Sequence, residues 1–236
     1  MSKINYKTIN NSFRLVAKSN PKDLIVAEIG DIKEPSITLP QLKICRWGDN
    51  EETNESNVSL RLLDFDEYSV LQNKDKIIFG NEKQEVHIYP ITEGEGACEI
   101  ELILKERPKY LNGKPKNRFE FSVVSKDVDF FYQPALTQEE IDEGAERSEE
   151  VVGSYAIYSK SSGGMNEASG KEYKVGKVGH LYRAKLIDAN GNETWGDYNT
   201  DLNETGILTL SVDPIWLDKA VYPVVVDSKF GYETKG

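Results

Sequence analysis

With 236 residues, 38% of them apolar, the chain is long enough to bury a sizeable core without staples, and 2 methionines against 12 tyrosines and 8 phenylalanines argue against a helix bundle. Forty acidic and 29 basic residues leave a net charge of −11, a field that repels a phosphate backbone and excludes general nucleic-acid binding. No apolar run is long enough for a membrane helix, no secretory h-region follows Met1, and Cys45 and Cys98 are too few for a disulfide framework and read as two buried thiols.

Residues 1 to about 22 are polar and only faintly periodic, and read as an N-terminal arm or a first edge strand. From Asp23 a β pattern begins and defines a domain over 23–236. Leu24–Ile29 is a short apolar run closed by Gly30, a buried strand. Leu42–Trp47 alternates with Leu42 and Ile44 on one face, and after an acidic loop Val58–Leu62 alternates again. Lys76–Phe79 and Glu85–Tyr89 flank Gly80-Asn81, a hairpin signal. Cys98–Leu104 and Phe119–Val123, with Asn112-Gly113 between them, read as a second hairpin.

The one helix signal with a mechanism is Thr137 followed by Glu140, a capping box, and Gly144 as a left-handed stop. Two turns cannot stand alone, so 137–144 is expected to connect two sheets, with a sub-boundary near 125–150. Val151–Tyr158 then reads as a strand, Ser159–Gly170 as a flexible loop tip, and Gly179–Ile187 as one alternating strand. Asp188–Asn192 is a tight turn with Trp195 on the return, and Gly206–Val212 is a further strand. Pro214 to Asp227 gives one helical turn feeding a strand of β-branched residues. Pro223, lacking an N–H, belongs at a strand start, an edge or a bulge. A dozen or so short strands with turns at regular spacing predict an all-β fold, an antiparallel β-sandwich or jelly roll with one short connecting helix.

Candidate chemistry is sparse. Asp188, Asn190 and Asn192 place oxygen ligands at alternate positions as a calcium loop does, but Glu193 stands where such a loop needs Gly, and a hairpin turn already explains Asn190-Gly191. Asp64, Asp66 and Glu67, with Asp75 nearby, form an oxygen-rich stretch that reads as a solvated loop before it reads as a glycosidase pair. His87 and His180 sit in alternating strands, and their spacing from Cys45 and Cys98 matches no zinc pattern. The chain lacks a Gly-x-Ser-x-Gly elbow, a P-loop and a dinucleotide fingerprint, so no cofactor is expected. Trp195 and Trp47 are the residues to test as a carbohydrate platform, against the plainer role of core packing.

The ending Leu217-Asp-Lys-Ala220-Val-Tyr222-Pro223-Val-Val-Val-Asp227 resembles a recurring module end, in which a strand reading Leu-x-x-Ala-x-Tyr-Pro-Val-x-Val-Asp follows a turn carrying Trp-Leu. That module occurs in large surface polypeptides of the YD-repeat (Rhs-like) kind and in β-rich proteins of phages and uncultured bacteria. The similarity extends back through Asp188–Gly191 and Gly206–Leu210 and reaches Phe131–Glu140, about the second half of the chain. Family members continue Asp-Pro-Thr, whereas this chain reads Asp227-Ser228-Lys229. The resemblance implies a β-sandwich module of surface or virion polypeptides and brings no catalytic residues with it.

The expectation is therefore a non-enzymatic structural protein of a phage virion (tail, fibre, neck or capsid decoration). It would be located in the virion, extracellular after host lysis, and would work by packing against copies of itself and other virion proteins. A carbohydrate- or cell-surface-binding module reading a host glycan is the alternative, and a glycan hydrolase using the carboxylates around Asp64–Glu67 the third. Neither nucleic acid nor membrane insertion is expected.

Overall fold

The structure is a computed structural model and describes residues 6–9, 12–20, 23–30, 39–46, 56–74, 76–91, 97–110, 112–168 and 171–231. β1 (Tyr6–Ile9), β2 (Ser12–Asn20), β3 (Asp23–Ile29), β4 (Gln41–Arg46) and β5 (Ser56–Leu62) follow one another as an antiparallel meander. Residues 6–9 and 12–20 are its two outermost strands. The two-residue period decides which side faces in: Val58, Leu60 and Leu62 are buried, while Ser59 and Arg61 between them are half-buried.

A second meander follows in a second sheet: β6 (Ser69–Asn73), β7 (Lys76–Gly80), β8 (Gln84–Ile91) and β9 (Ala97–Leu104). The predicted hairpin at Gly80-Asn81 is present, its turn fixed by Asn81 Oδ1, which accepts the backbone N–H of Lys83 and of Gln84. The second predicted hairpin is not. β9 pairs with β8, whereas β10 (Arg118–Lys126) crosses to the first sheet and lies beside β5. Asn112-Gly113 turns only a small local loop inside that crossover, with the Tyr110 N–H on the Lys114 carbonyl at 2.8 Å. Alternation says that a strand has one wet face; it does not say which sheet the strand joins.

β10 and β11 (Val128–Tyr132) belong to different sheets although one residue separates them. That residue, Asp127, turns the chain in the left-handed conformation at φ 58°. Its carboxylate accepts hydroxyls from Ser56 on the first sheet at 2.9 Å and from Ser159 at 2.8 Å and Ser161 at 2.6 Å on the second-sheet side. α1 (Gln138–Asp142) carries the predicted capping box, and Gly144 has φ +88°. It does not connect two sheets, however: β11 and β12 (Tyr155–Ser159) are antiparallel neighbours in one sheet, so the helix only lengthens their connection.

Within the expected loop tip at 159–170, Gly164–Ala168 forms a strand, β13, paired with β14 (Lys171–Val175) in a two-stranded ribbon. The single strand expected over 179–187 is broken in two, β15 (Lys177–Leu181) and β16 (Lys185–Ile187): the register against their shared partner strand slips by one residue between them, and the Arg183 N–H turns to the Glu150 carbonyl. β17 (Glu193–Trp195) returns from the Asp188 turn, and β18 (Asp197–Tyr198) is a short edge of the first sheet. A helical turn that the sequence pattern does not reveal, α2 (Leu202–Thr205), precedes β19 (Ile207–Ser211), which lies between β10 and β18. α3 (Pro214–Lys219) begins with Asp213 capping the Ile215 N–H and leads to β20 (Val224–Gly231).

β20 is central. It pairs along its length with β9 and on its other side with β16 and β15. Pro223 immediately precedes it, after a cis Tyr222–Pro223 bond, so its missing N–H falls outside the ladder. The strand runs on past Asp227, which stands mid-strand, opposite Glu101 and Lys185. The fold is thus an all-β antiparallel sandwich. Its core joins Leu42, Leu60, Phe121 and Leu210 of the first sheet to Phe79, Ile88, Leu102 and Val226 of the second. Both cysteines are buried thiols, and burial pushes Cys98 up to about 12, which keeps it inert.

Candidate functional site

Four places combine chemistry with position. The first is the outer face of the second sheet. Its register sets His87, Glu101, Asp227, Lys185 and Trp195 side by side across five strands, with Lys76, Tyr89, Glu99 and Lys229 in the row beside them. Glu101 is the hub. It accepts Lys76 at 3.1 Å and Tyr89 Oη at 2.7 Å, and His87 Nδ1 lies 3.5 Å away. Burial alone would raise its carboxyl, but the His87, Tyr89 and Lys76 hydrogen bonds outweigh it and hold the group down to about 2. Glu99, diagonal to Asp227, goes the other way: burial first, then the Asp227 charge, push it up to about 8. Its Oε2 is buried without a donor, which a proton shared with Asp227 resolves. This is a ladder of half-buried charged and hydrogen-bonding groups along the outer face of the sheet.

The second place is an open groove of about 980 Å³ between the bend after β5, the β7–β8 turn and the β9–β10 crossover. Asp64, Asp66, Glu67 and Glu106 line it together with Lys83 and Tyr110, whose side chain is 42% exposed. Asp64 and Asp66 lie just past the end of β5. They belong to a bend whose aromatic residues, Phe65 and Tyr68, stack at 5.1 Å and plug the sandwich end, and this turns the acids outward. Asp64, 72% exposed, lies 3.4 Å from Lys116. A solvated, cation-paired carboxylate lacks the apolar shelter that keeps a glycosidase acid protonated.

The third is a Ser–His contact that sequence spacing did not suggest: Ser154 Oγ lies 2.6 Å from His180 Nε2. Ser154 also donates to the Val151 carbonyl, and His180 stacks on Tyr182 at 4.5 Å. At 0% and 3% exposure neither can meet a substrate, so the pair ties the start of β12 to β15.

The fourth is an edge. Phe130, on the outer strand β11, has both its backbone N–H and its carbonyl bonded to the side-chain amide of Asn203, which stands in for a further strand. Edge strand β18 is two residues long, and the Asn199 amide beside it bonds Thr209 N–H and the Ile207 carbonyl. β6 has neither device. Among the described residues it pairs with β7 alone, all five of its residues are exposed, and Ser69-Val-Leu-Gln-Asn73 contains no charge and no proline. Its apolar residues stand on both faces, Val70 at 38% and Leu71 at 59% exposure. The sequence pattern offered only the apolar pair Val70-Leu71 as a hint of this strand.

The residues singled out from sequence are scattered. Trp195 is half-buried in the cross-strand ladder, its Nε1 on Glu149 at 3.3 Å and the cations of Arg183 and Lys185 at 5.6 and 5.7 Å from the ring centroid. Trp47 and Asp75 lie outside the described residues. Asp188 accepts the backbone N–H groups of Asn190, Asn192 and Val221 and the Asn192 side-chain amide, so donors occupy the lone pairs a calcium ion would take. These bonds, Asn192 foremost, hold its carboxyl down to about 2 and tie the turn to the chain just before β20. Asn190 contributes its backbone and Asn192 both backbone and amide, each as a donor. Among the described residues no group of three or more His, Cys, Asp or Glu is placed to hold a metal ion. Comparison with protein-family models, curated proteins and solved structures gives no match.

Proposed function

We propose that this protein is a non-enzymatic structural component of a phage virion that works by assembly with itself and with other virion proteins. The observation that carries the reading is the contrast between edges: the amides of Asn203 and Asn199 close two of them, while β6, among the described residues, is open on one side, uncharged and apolar on both faces. An exposed edge offers a row of main-chain donors and acceptors to an incoming strand, a mode in which backbone hydrogen bonds supply affinity and alternate side chains supply choice. The virion setting rests on the resemblance of residues 217–227 and on an acidic surface that avoids the packaged nucleic acid. Sedimentation at micromolar concentration tests it: a defined oligomer, or co-assembly with a particle protein, is expected. A strict monomer that joins no particle overturns it.

A second reading, a host-glycan-binding module, is favoured by the groove and by Tyr110 on its wall. Binding on a glycan array that is lost with Tyr110→Ala, with Trp195→Ala as the parallel variant, would put it first. Glycan turnover abolished by Asp66→Asn would instead establish the hydrolase.

A further inference from the structure

We infer that the partner of β6 is β6 of a second copy of this chain, joined across a two-fold axis perpendicular to the second sheet. This rests on the assembly reading above and names its partner.

The first ground is the charge order around the strand. Asp64, Asp66 and Glu67 precede it, and Lys74 and Lys76, flanking Asp75, follow it. One end is therefore acidic by three charges and the other basic by one. Antiparallel pairing of two copies sets the acidic bend of each against the basic turn of the other. Parallel pairing would align acid with acid. The strand is thus complementary to itself in one direction only.

The second ground is the pleat. A two-fold axis perpendicular to the sheet pairs residues on the same face, so it passes beside Val70 or Leu71 and places each against its own copy. With the axis at Leu71, Ser69 meets Asn73 and the acidic bend of each copy approaches Lys74 of the other; with the axis at Val70, Asp66 falls opposite Lys74. In either register an apolar residue meets its equal at the centre, and charges of opposite sign meet at both ends. Leu71 stands beside Ile78 of β7, so the seam adds to an apolar pair at the margin of the charged ladder on that face. Five residues make a small interface, so the contact is weak in isolation, and repetition within an ordered particle supplies the remainder.

The full chain, followed by sedimentation equilibrium across the micromolar range, tests the inference. The wild type is expected to dimerise reversibly. Leu71→Lys sets two ammonium groups against each other at the axis and should leave monomer, with an unchanged melting temperature because Leu71 is exposed. Lys74→Glu alone, and Asp66→Lys with Glu67→Lys, should each weaken the dimer about tenfold; combining them should recover most of the loss. A dimer indifferent to Leu71→Lys overturns the inference, and so does a monomeric wild type. If that monomer enters particles and Leu71→Lys does not, the edge takes a different protein: self-pairing fails while the assembly reading stands.

Discussion

Replacing Glu99 by Gln should stabilise the protein at neutral pH and leave it unchanged in acid. The reason lies in the pair that Glu99 makes with Asp227 on the outer face of the second sheet. In the unfolded chain the carboxyl ionises near its ordinary value of 4.5; in the fold it keeps its proton up to about 8. Between those values the native state binds the extra proton, so stability falls as pH rises through the window. The full interval corresponds to at most about 5 kcal/mol. Part of the group faces water, and screening brings the expectation to roughly 2 kcal/mol. Gln carries no charge at any pH, and its amide can donate to Asp227. Glu99→Gln should therefore melt roughly 4–8 °C above the wild type at pH 7.5 and level with it near pH 4.5. Glu101 acts in a lower window: its depressed value contributes stability that is present above 4.5 and lost as pH falls toward about 2. Calorimetric melts across that range decide the matter. A constant offset at every pH, or a Gln variant less stable at pH 7.5, would refute the shared proton.

Gly196→Ala puts a methyl inside contact distance of Leu210 Cδ1 and should cost about 1–3 kcal/mol in denaturant titration, a penalty that shrinks when Leu210 is also cut to Ala. Asn203→Ala bares the Phe130 backbone on β11; a loss of about 1–2 kcal/mol is expected, and light scattering should show a new tendency to aggregate. Asp127→Ala strips three serine hydroxyls of their acceptor where the sheets meet, and exchange protection should drop at Ser56 and Ser159 together. Asp188→Ala frees the N–H groups of Asn190, Asn192 and Val221; the melting temperature should fall with calcium present or absent, whereas a calcium-dependent shift in the wild type would show a cation site after all.

What sequence reading delivered follows the range of the interaction. Capping at Thr137 and Glu140 and the turns at Asn81 and Gly191 are decided within a few residues, and each is as the pattern predicts. Strand existence was also legible, because Val58-Leu60-Leu62 and Ile100-Leu102-Leu104 must each bury one face. Sheet membership was not: β9 and β10 show the same alternation, and only the length of the crossover between them argued against a hairpin. The Ser154–His180 contact and the Asp127 corner join residues far apart in sequence, so spacing carried no trace of them. β6 escaped because an edge exposed on both sides needs no alternation, and this absence of pattern is also what leaves it open to a partner.

The placement of β20 governs the order in which the molecule can be completed during synthesis. β9 and β15 occupy opposite sides of a gap that only residues 224–231 fill. The first five strands pair in sequence and can close as they leave the ribosome, whereas β9 waits for more than a hundred further residues with its inner edge bare. For that interval Glu99 and Glu101 lie along an unpaired border, and their charges serve as the gatekeepers that discourage a neighbouring nascent chain from adding to it. Pulse-labelled exchange during refolding should show protection of β9 toward β20 arriving last, in one step with β16; early protection of that seam would contradict the order.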